Sequence, residues 1–141
     1  MKQQRNSLVM EVLVNEGKGF TSFTGPVAAM LGFAEVHANV LEIEQGRLTG
    51  RLAADIVDAA TKRKVLQSAA GALGLDLNSA LAVGDGANDM PMIAEAVSAN
   101  GLGVGYHPRP KLAAAANFAV RHNDLTALLF AQGIKPGAWA R

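Results

Sequence analysis

The chain has 141 residues, half of them apolar, enough to bury roughly two thirds of its unfolded surface in a single domain with no room for a second. Thirteen basic against twelve acidic side chains leave a net charge of +1, which gives no reason to propose nucleic acid or an anionic membrane as a partner. Cysteine is absent, which excludes disulfides and zinc–thiolate sites; with a polar start (Met1 to Ser7) and no apolar run near ~18 residues, the expectation is a cytoplasmic protein.

In chain order, Leu8 to Val14 (LVMEVLV) reads as a buried strand. Thr21 or Ser22 is expected to cap a helix that passes through Pro26, in its first turns, and runs to about Leu31. Val40 to Ile43 and Arg47 to Leu52 bracket Gln45-Gly46 as a hairpin, and Thr61 to Leu73 is a helix with apolar Val65, Leu66, Ala69, Ala70 and Leu73 on one side. Ala80 to Val83 is a strand, followed by a loop and a helix carrying Met90, Ile93, Ala94 and Val97. Leu102 to Tyr106 and Phe118 to Val120 are further strands. A last helix runs from about Asn123 to Gln132, ended by Gly133 and Pro136. Neither repeats nor low-complexity linkers interrupt this order. The order agrees with part of an α/β protein.

The richest segment is Val83 to Ile93, VGDGANDMPMI. A carboxylate at the carboxyl end of a buried strand, between glycines that let the backbone turn sharply, presents a hard-metal ligand at the ligand-binding edge of an α/β sheet. Asp85 is therefore a candidate magnesium ligand. Asn88 and Asp89 stand at the start of the next helix, so one junction gathers two carboxylates and an amide, and repulsion between Asp85 and Asp89 is best relieved by a cation. Capping the helix is the rival role for Asn88 and Asp89, and one side chain can serve both.

VGDGANDMPMI resembles the fourth motif of the haloacid-dehalogenase-type phosphotransferases, and its surroundings resemble phosphoserine phosphatases. Gly19 to Gly25 (GFTSFTG), Asn39 to Arg51 (NVLEIEQGRLTGR), Asp55 to Leu66 (DIVDAATKRKVL) and Leu102 to Pro110 (LGVGYHPRP) look like that family's segments in its order, from about Gly19 to Gly133. The resemblance implies a Rossmann-like core that hydrolyses a phosphate monoester, phosphoserine, through an aspartyl-phosphate with magnesium as cofactor. It implies Lys62 as the catalytic cation that neutralises the transferring group, Asn88 as the substrate-contacting amide, and Asp85 and Asp89 as the metal carboxylates, Asp89 either touching the ion or supporting its shell. Taken alone, Lys62 would belong to a solvated basic face. Arg63 and Lys64 keep that reading, since three consecutive helical positions point in different directions.

Three departures stand against the resemblance. The family's Asp-x-Asp, which holds the nucleophile and the general acid/base, occurs nowhere in these residues, whose first aspartate is Asp55. Where the family has Ser-Gly-Gly-Phe, this sequence has Gly17-Lys18-Gly19-Phe20, so the phosphate-binding hydroxyl is gone. The run Val97 to Asn100 reads as an insertion in a surface loop. The resemblance thus covers a partial core over residues 1–133 with a tail from 134 to 141, and turnover by this chain alone is not expected; a non-catalytic metal- or anion-binding or partner-binding domain is the alternative.

The strand that would carry Asp-x-Asp lies at the centre of the family's sheet, between the strands corresponding to Leu8–Val14 and Ala80–Val83. A gap with several unpaired backbone groups at about 1–3 kcal/mol each rivals a net stability of about 5–15 kcal/mol. Two outcomes are therefore expected: the flanking strands pair directly, or a partner chain donates the missing strand.

Other features carry no function. Gly101-Leu102-Gly103-Val104-Gly105 lies in a strand and continues with Tyr106, so it is not a dinucleotide fingerprint. His37, His107 and His122 lack metal-ligand spacing, Ala113 to Ala116 is ordinary helix sequence, and Trp139 is read as dangling in the tail.

Overall fold

The structure, a computed structural model, describes residues 12–14 and 20–138. Leu8 to Glu11 of the expected first strand, the Gly17-Lys18-Gly19 stretch and Trp139 lie outside the described residues. The chain divides into two compact units, Met1–Asp76 and Leu77–Arg141. Its described strands form an α/β arrangement whose sheet is not closed, for they fall into three separately bonded groups.

In the first unit, strand β1 (Val12–Val14) runs parallel to β2 (Glu35–His37), with Leu13 opposite Val36, and helix α1 (Thr21–Leu31) makes the crossover. The sequence pattern missed β2 because its two outward positions are polar: the His37 ring nitrogen Nε2 lies 3.0 Å from Glu35 Oε2, two residues away on the same face. The cap of α1 also differs from expectation. Phe20, extended at φ −113° and ψ 147°, holds the cap position without a side-chain bond. Thr24, one turn in, donates its hydroxyl to the Phe20 carbonyl at 3.3 Å. Pro26 sits inside the helix, where it has no N–H to give to the carbonyl four residues back.

Asn39 ties this unit together. Its main-chain carbonyl accepts the Thr21 N–H at 3.0 Å, and its buried side-chain Oδ1 accepts the Val57 N–H at 2.9 Å. Between those anchors rises the expected hairpin, β3 (Leu41–Glu44) and β4 (Arg47–Leu52), turning through Gln45 and Gly46, both at positive φ. Glu42 gathers its polar face, accepting from Thr49 Oγ1 at 2.6 Å and Arg51 Nε at 2.8 Å. Helix α2 (Ala59–Ala72) starts two residues earlier than its apolar spacing indicates. Asp58 is the reason: its carboxylate accepts from both the backbone N–H and the hydroxyl of Thr61, at 2.8 and 2.9 Å.

The second unit is a parallel three-stranded sheet in the order β5 (Leu81–Gly84), β6 (Leu102–Tyr106), β7 (Phe118–Val120), each bonded to the next. Helix α3 (Met90–Ser98) connects β5 to β6 and α4 (Pro110–Ala115) connects β6 to β7. Ile93, Ala96, Val104 and Leu112 form the core, all at 1 % exposure or less. Ala94, expected on the buried face, is exposed, while Ala96, three residues after Ile93 and on its face of the helix, is buried. The run Val97 to Asn100 is the last turn and cap of α3 rather than a surface loop: the Ala99 N–H returns to Glu95 O, and Asn100 turns the chain at φ 60°. Helix α5 (Thr126–Ala131) is shorter than expected because Asp124 takes both the N–H and the hydroxyl of Thr126 ahead of it.

Among the described residues β5 is bonded to β6 alone and β1 to β2 alone. No described helix is long and apolar enough to cross a membrane.

Candidate functional site

Strand β5 ends at Gly84, and within five residues the chain passes through Asp85-Gly86, a 3-10 turn at Ala87–Asp89, and into α3. Asp89 organises this junction. Its side chain folds back under the loop, where Oδ2 accepts from the backbone N–H of Asp85 at 2.9 Å and of Gly86 at 3.2 Å. A carboxylate at 5 % exposure needs such donors, because desolvating an ionised group without them costs far more than a charge-assisted bond returns. Asp89 therefore braces the loop from beneath and caps no N–H of α3.

The packing is tight enough to dictate the sequence at the strand's end. A Cβ on Gly84 would lie 2.3 Å from Asp89 Cβ and 2.6 Å from its Oδ2, so only glycine leaves space for the brace. With Asp89 held below, Asp85 and Asn88 are both exposed at the carboxyl end of β5, and the Asp85 carboxylate makes no hydrogen bond or ion pair with another described residue. From the neighbouring loop the Arg109 N–H donates to the Asp85 main-chain carbonyl at 2.9 Å, fixing the loop from its other side.

Among the described residues no three His, Cys, Asp or Glu side chains cluster as metal ligands. The donor set present is one outward carboxylate, Asp85, and one inward carboxylate whose Oδ2 is already engaged. That set fits magnesium, which commonly keeps several waters and takes only one or two protein carboxylates beside substrate oxygens.

Lys62 belongs to the first unit, on the first turn of α2, where its N–H bonds the Asp58 carbonyl at 3.1 Å. It is 8 % exposed while Arg63 and Lys64 beside it are open to solvent, so the solvated-face reading fails for Lys62 and holds for its neighbours. The junction thus brings together Asp85, Asn88 and Asp89, with Lys62 described by its own unit. Two contributions go beyond the sequence reading: the steric role of Gly84 beneath Asp89, and the backbone bond from Arg109 to Asp85.

Residues 18–94 match the sequence profile of the haloacid dehalogenase-like hydrolases. The phosphoserine phosphatase of Albidiferax ferrireducens is 44% identical over 124 residues, covering 85% of this chain and 50% of its own length. That of Haemophilus influenzae is 42% identical over 111 residues, covering 79% and 34%. Among solved structures, a probable phosphoserine phosphatase from Vibrio cholerae superposes with a TM-score of 0.76 at 37% identity over 88% of this chain and 39% of that one. A phospho-aspartyl intermediate analogue of phosphoserine phosphatase gives 0.73 at 29% identity, over 88% and 56%. The chain spans about half the length, or less, of the curated relatives it matches.

Proposed function

Because the chain belongs to the haloacid dehalogenase-like hydrolase family, we propose that residues 1–133 are a partial core of a magnesium-dependent phosphoserine phosphatase, holding the metal- and phosphate-handling residues without the nucleophile. Asp85 carries this assignment: an exposed, unpaired carboxylate at the end of a parallel strand, aimed outward by a buried brace, is made to meet a cation.

In this reading Asp85 is the direct ligand, Asp89 fixes the loop that presents it, Asn88 donates its amide to the substrate, and Lys62 places an ammonium against the transferring phosphoryl group. Bound magnesium would supply charge neutralisation for the phosphoryl oxygens. Each of these groups stabilises charge; none of them attacks phosphorus. The family reaction forms an aspartyl-phosphate on one carboxylate and moves a proton with a second two positions later, and this sequence has no Asp-x-Asp. Loss of a nucleophile from a catalytic unit costs on the order of a millionfold, so the 141 residues alone bind without useful turnover. A carboxylate-bearing strand from a partner would complete the chemistry.

Two measurements test this. Magnesium affinity is expected to fall in Asp85→Ala relative to the unsubstituted chain, and equal affinities would dismiss the metal site. Phosphoserine hydrolysis is expected to be absent for the chain alone and to appear with a fragment carrying an apolar strand that ends in Asp-x-Asp. Ordinary enzyme rates from the purified chain would refute the non-catalytic reading, and no gain on mixing would defeat strand donation.

A further inference from the structure

The loop after β6 holds a charged group that the family reading does not use. Arg109 stands between Pro108 and Pro110, and the second proline holds its backbone to the extended conformation observed, φ −66° and ψ 154°. Every neighbour of that loop is pinned. The His107 N–H bonds Val120 O at 2.8 Å, with His107 held at φ 44° and its ring edge-on to Tyr106. Beneath, the Pro108 ring packs on Gly105, where an added Cβ would come within 2.7 Å of Pro108 Cγ. The Arg109 N–H then bonds the carbonyl of Asp85 itself at 2.9 Å.

The cation so positioned has no use within the fold. Arg109 is exposed, and its guanidinium makes no hydrogen bond or ion pair with another described residue. Asp85, joined to it by that backbone bond, also has an unpaired carboxylate. Two opposite charges on backbones joined by a hydrogen bond, not neutralising one another, suit a ligand that is itself a pair of charges: a divalent cation on the Asp85 side and an oxyanion on the Arg109 side. Arginine suits the second part, since its planar fork meets two phosphoryl oxygens at once.

We propose that Arg109 is an oxyanion-binding residue that grips the phosphoryl group of the ligand beside the Asp85 cation. The proposal rests on the reading of Asp85 as a metal ligand and adds the anion's partner in the same unit of the chain.

The test is calorimetric titration of the full chain with inorganic phosphate at saturating magnesium, for the unsubstituted protein, Arg109→Gln and Arg109→Lys. Because Arg109 is exposed, both variants are expected to keep the parent circular dichroism and melting. Phosphate affinity is expected to drop about tenfold in Arg109→Gln, as for one charge-assisted bond, and to recover in part in Arg109→Lys. Magnesium affinity measured without phosphate should be unchanged in both. Equal phosphate affinity in all three proteins, or no phosphate binding by the unsubstituted chain, overturns the proposal. Titration with phosphoserine separates the two anionic ends: a loss for phosphoserine with none for phosphate would place Arg109 on a carboxylate and also overturn it. Failure of the metal reading shows separately, as Asp85→Ala with undiminished magnesium affinity.

Discussion

Gly84→Ala puts one methyl group where the Asp89 brace lies. The new Cβ would sit 2.3 Å from Asp89 Cβ, 2.5 Å from Cγ and 2.6 Å from Oδ2, and because the nearest atom is a Cβ, a rotamer change of Asp89 cannot relieve the contact. The brace must leave its cradle, giving up the bonds from the Asp85 and Gly86 N–H groups. At about 1.5–3 kcal/mol for each bond to a charged group, the loss is about 3–6 kcal/mol, a large part of a typical net stability of ~5–15 kcal/mol. Gly86→Ala is the internal control, for it adds the same methyl two residues on, where nothing lies within 4 Å and φ is −133°. Urea unfolding measures both, and Gly86→Ala should change stability by less than about 1 kcal/mol. In an Asp89→Gly background the cost of Gly84→Ala should fall by more than half, since the three atoms nearest the new methyl all leave with the side chain. Equal destabilisation by the two alanines, or full additivity with Asp89→Gly, would refute the brace.

Three further outcomes follow from the same structure. Asn39→Ala leaves the buried Val57 N–H without its acceptor and should cost about 1–3 kcal/mol in urea unfolding; a change of less than about 0.5 kcal/mol would deny the clasp. Ile93→Ala, in the fully buried centre of the second unit, should cost about 2–5 kcal/mol, while Ile43→Ala, 60 % exposed on the hairpin, should stay below about 1 kcal/mol; similar values for the two would deny the second unit a packed core. Asp58 is held below the usual carboxylate range, first by the Thr61 N–H and then by its hydroxyl, so its stabilisation is present above the unfolded-state value of about 3.9 and is lost as pH falls through the lower folded one. Melting temperatures of the parent chain and Asp58→Ala should therefore differ at pH 7 and converge in strong acid. A gap of constant size at all pH would remove the carboxylate from the account.

Much of the fold was legible in the sequence where side chains alone determine it. β6 and β7 fall on the residues that their apolar runs mark, and the Gln45-Gly46 turn lies where two positive-φ positions are needed. Legibility failed where one polar group acts at a distance. Asp58 starts α2 ahead of its apolar stripe, Asp124 delays α5, and Glu35 with His37 disguises a strand as a polar stretch. The site divides along the same line. Asp85 and Asn88 stand exposed where a Gly-Asp-Gly loop at a strand end places them. Pattern could not choose between ligand, shell and cap for Asp89, because the choice lies in which way its side chain turns, and it turns toward the preceding residues. Arg109 was unreadable because its proximity to Asp85 comes from two adjacent strands and involves main-chain atoms.

The Asn39 amide has a consequence for how this chain tolerates change. It clasps residues 18 positions apart, and with the bond from the Ala53 N–H to Val40 O it closes the stem of the hairpin, so what lies beyond the clasp is hung from a fixed base. Lengthening or grafting at Gln45-Gly46 should leave the helices on either side undisturbed, since the ends of the excursion are joined whatever its size. That makes the hairpin tip the natural place for a fluorescent label, an affinity tag or an exchanged loop.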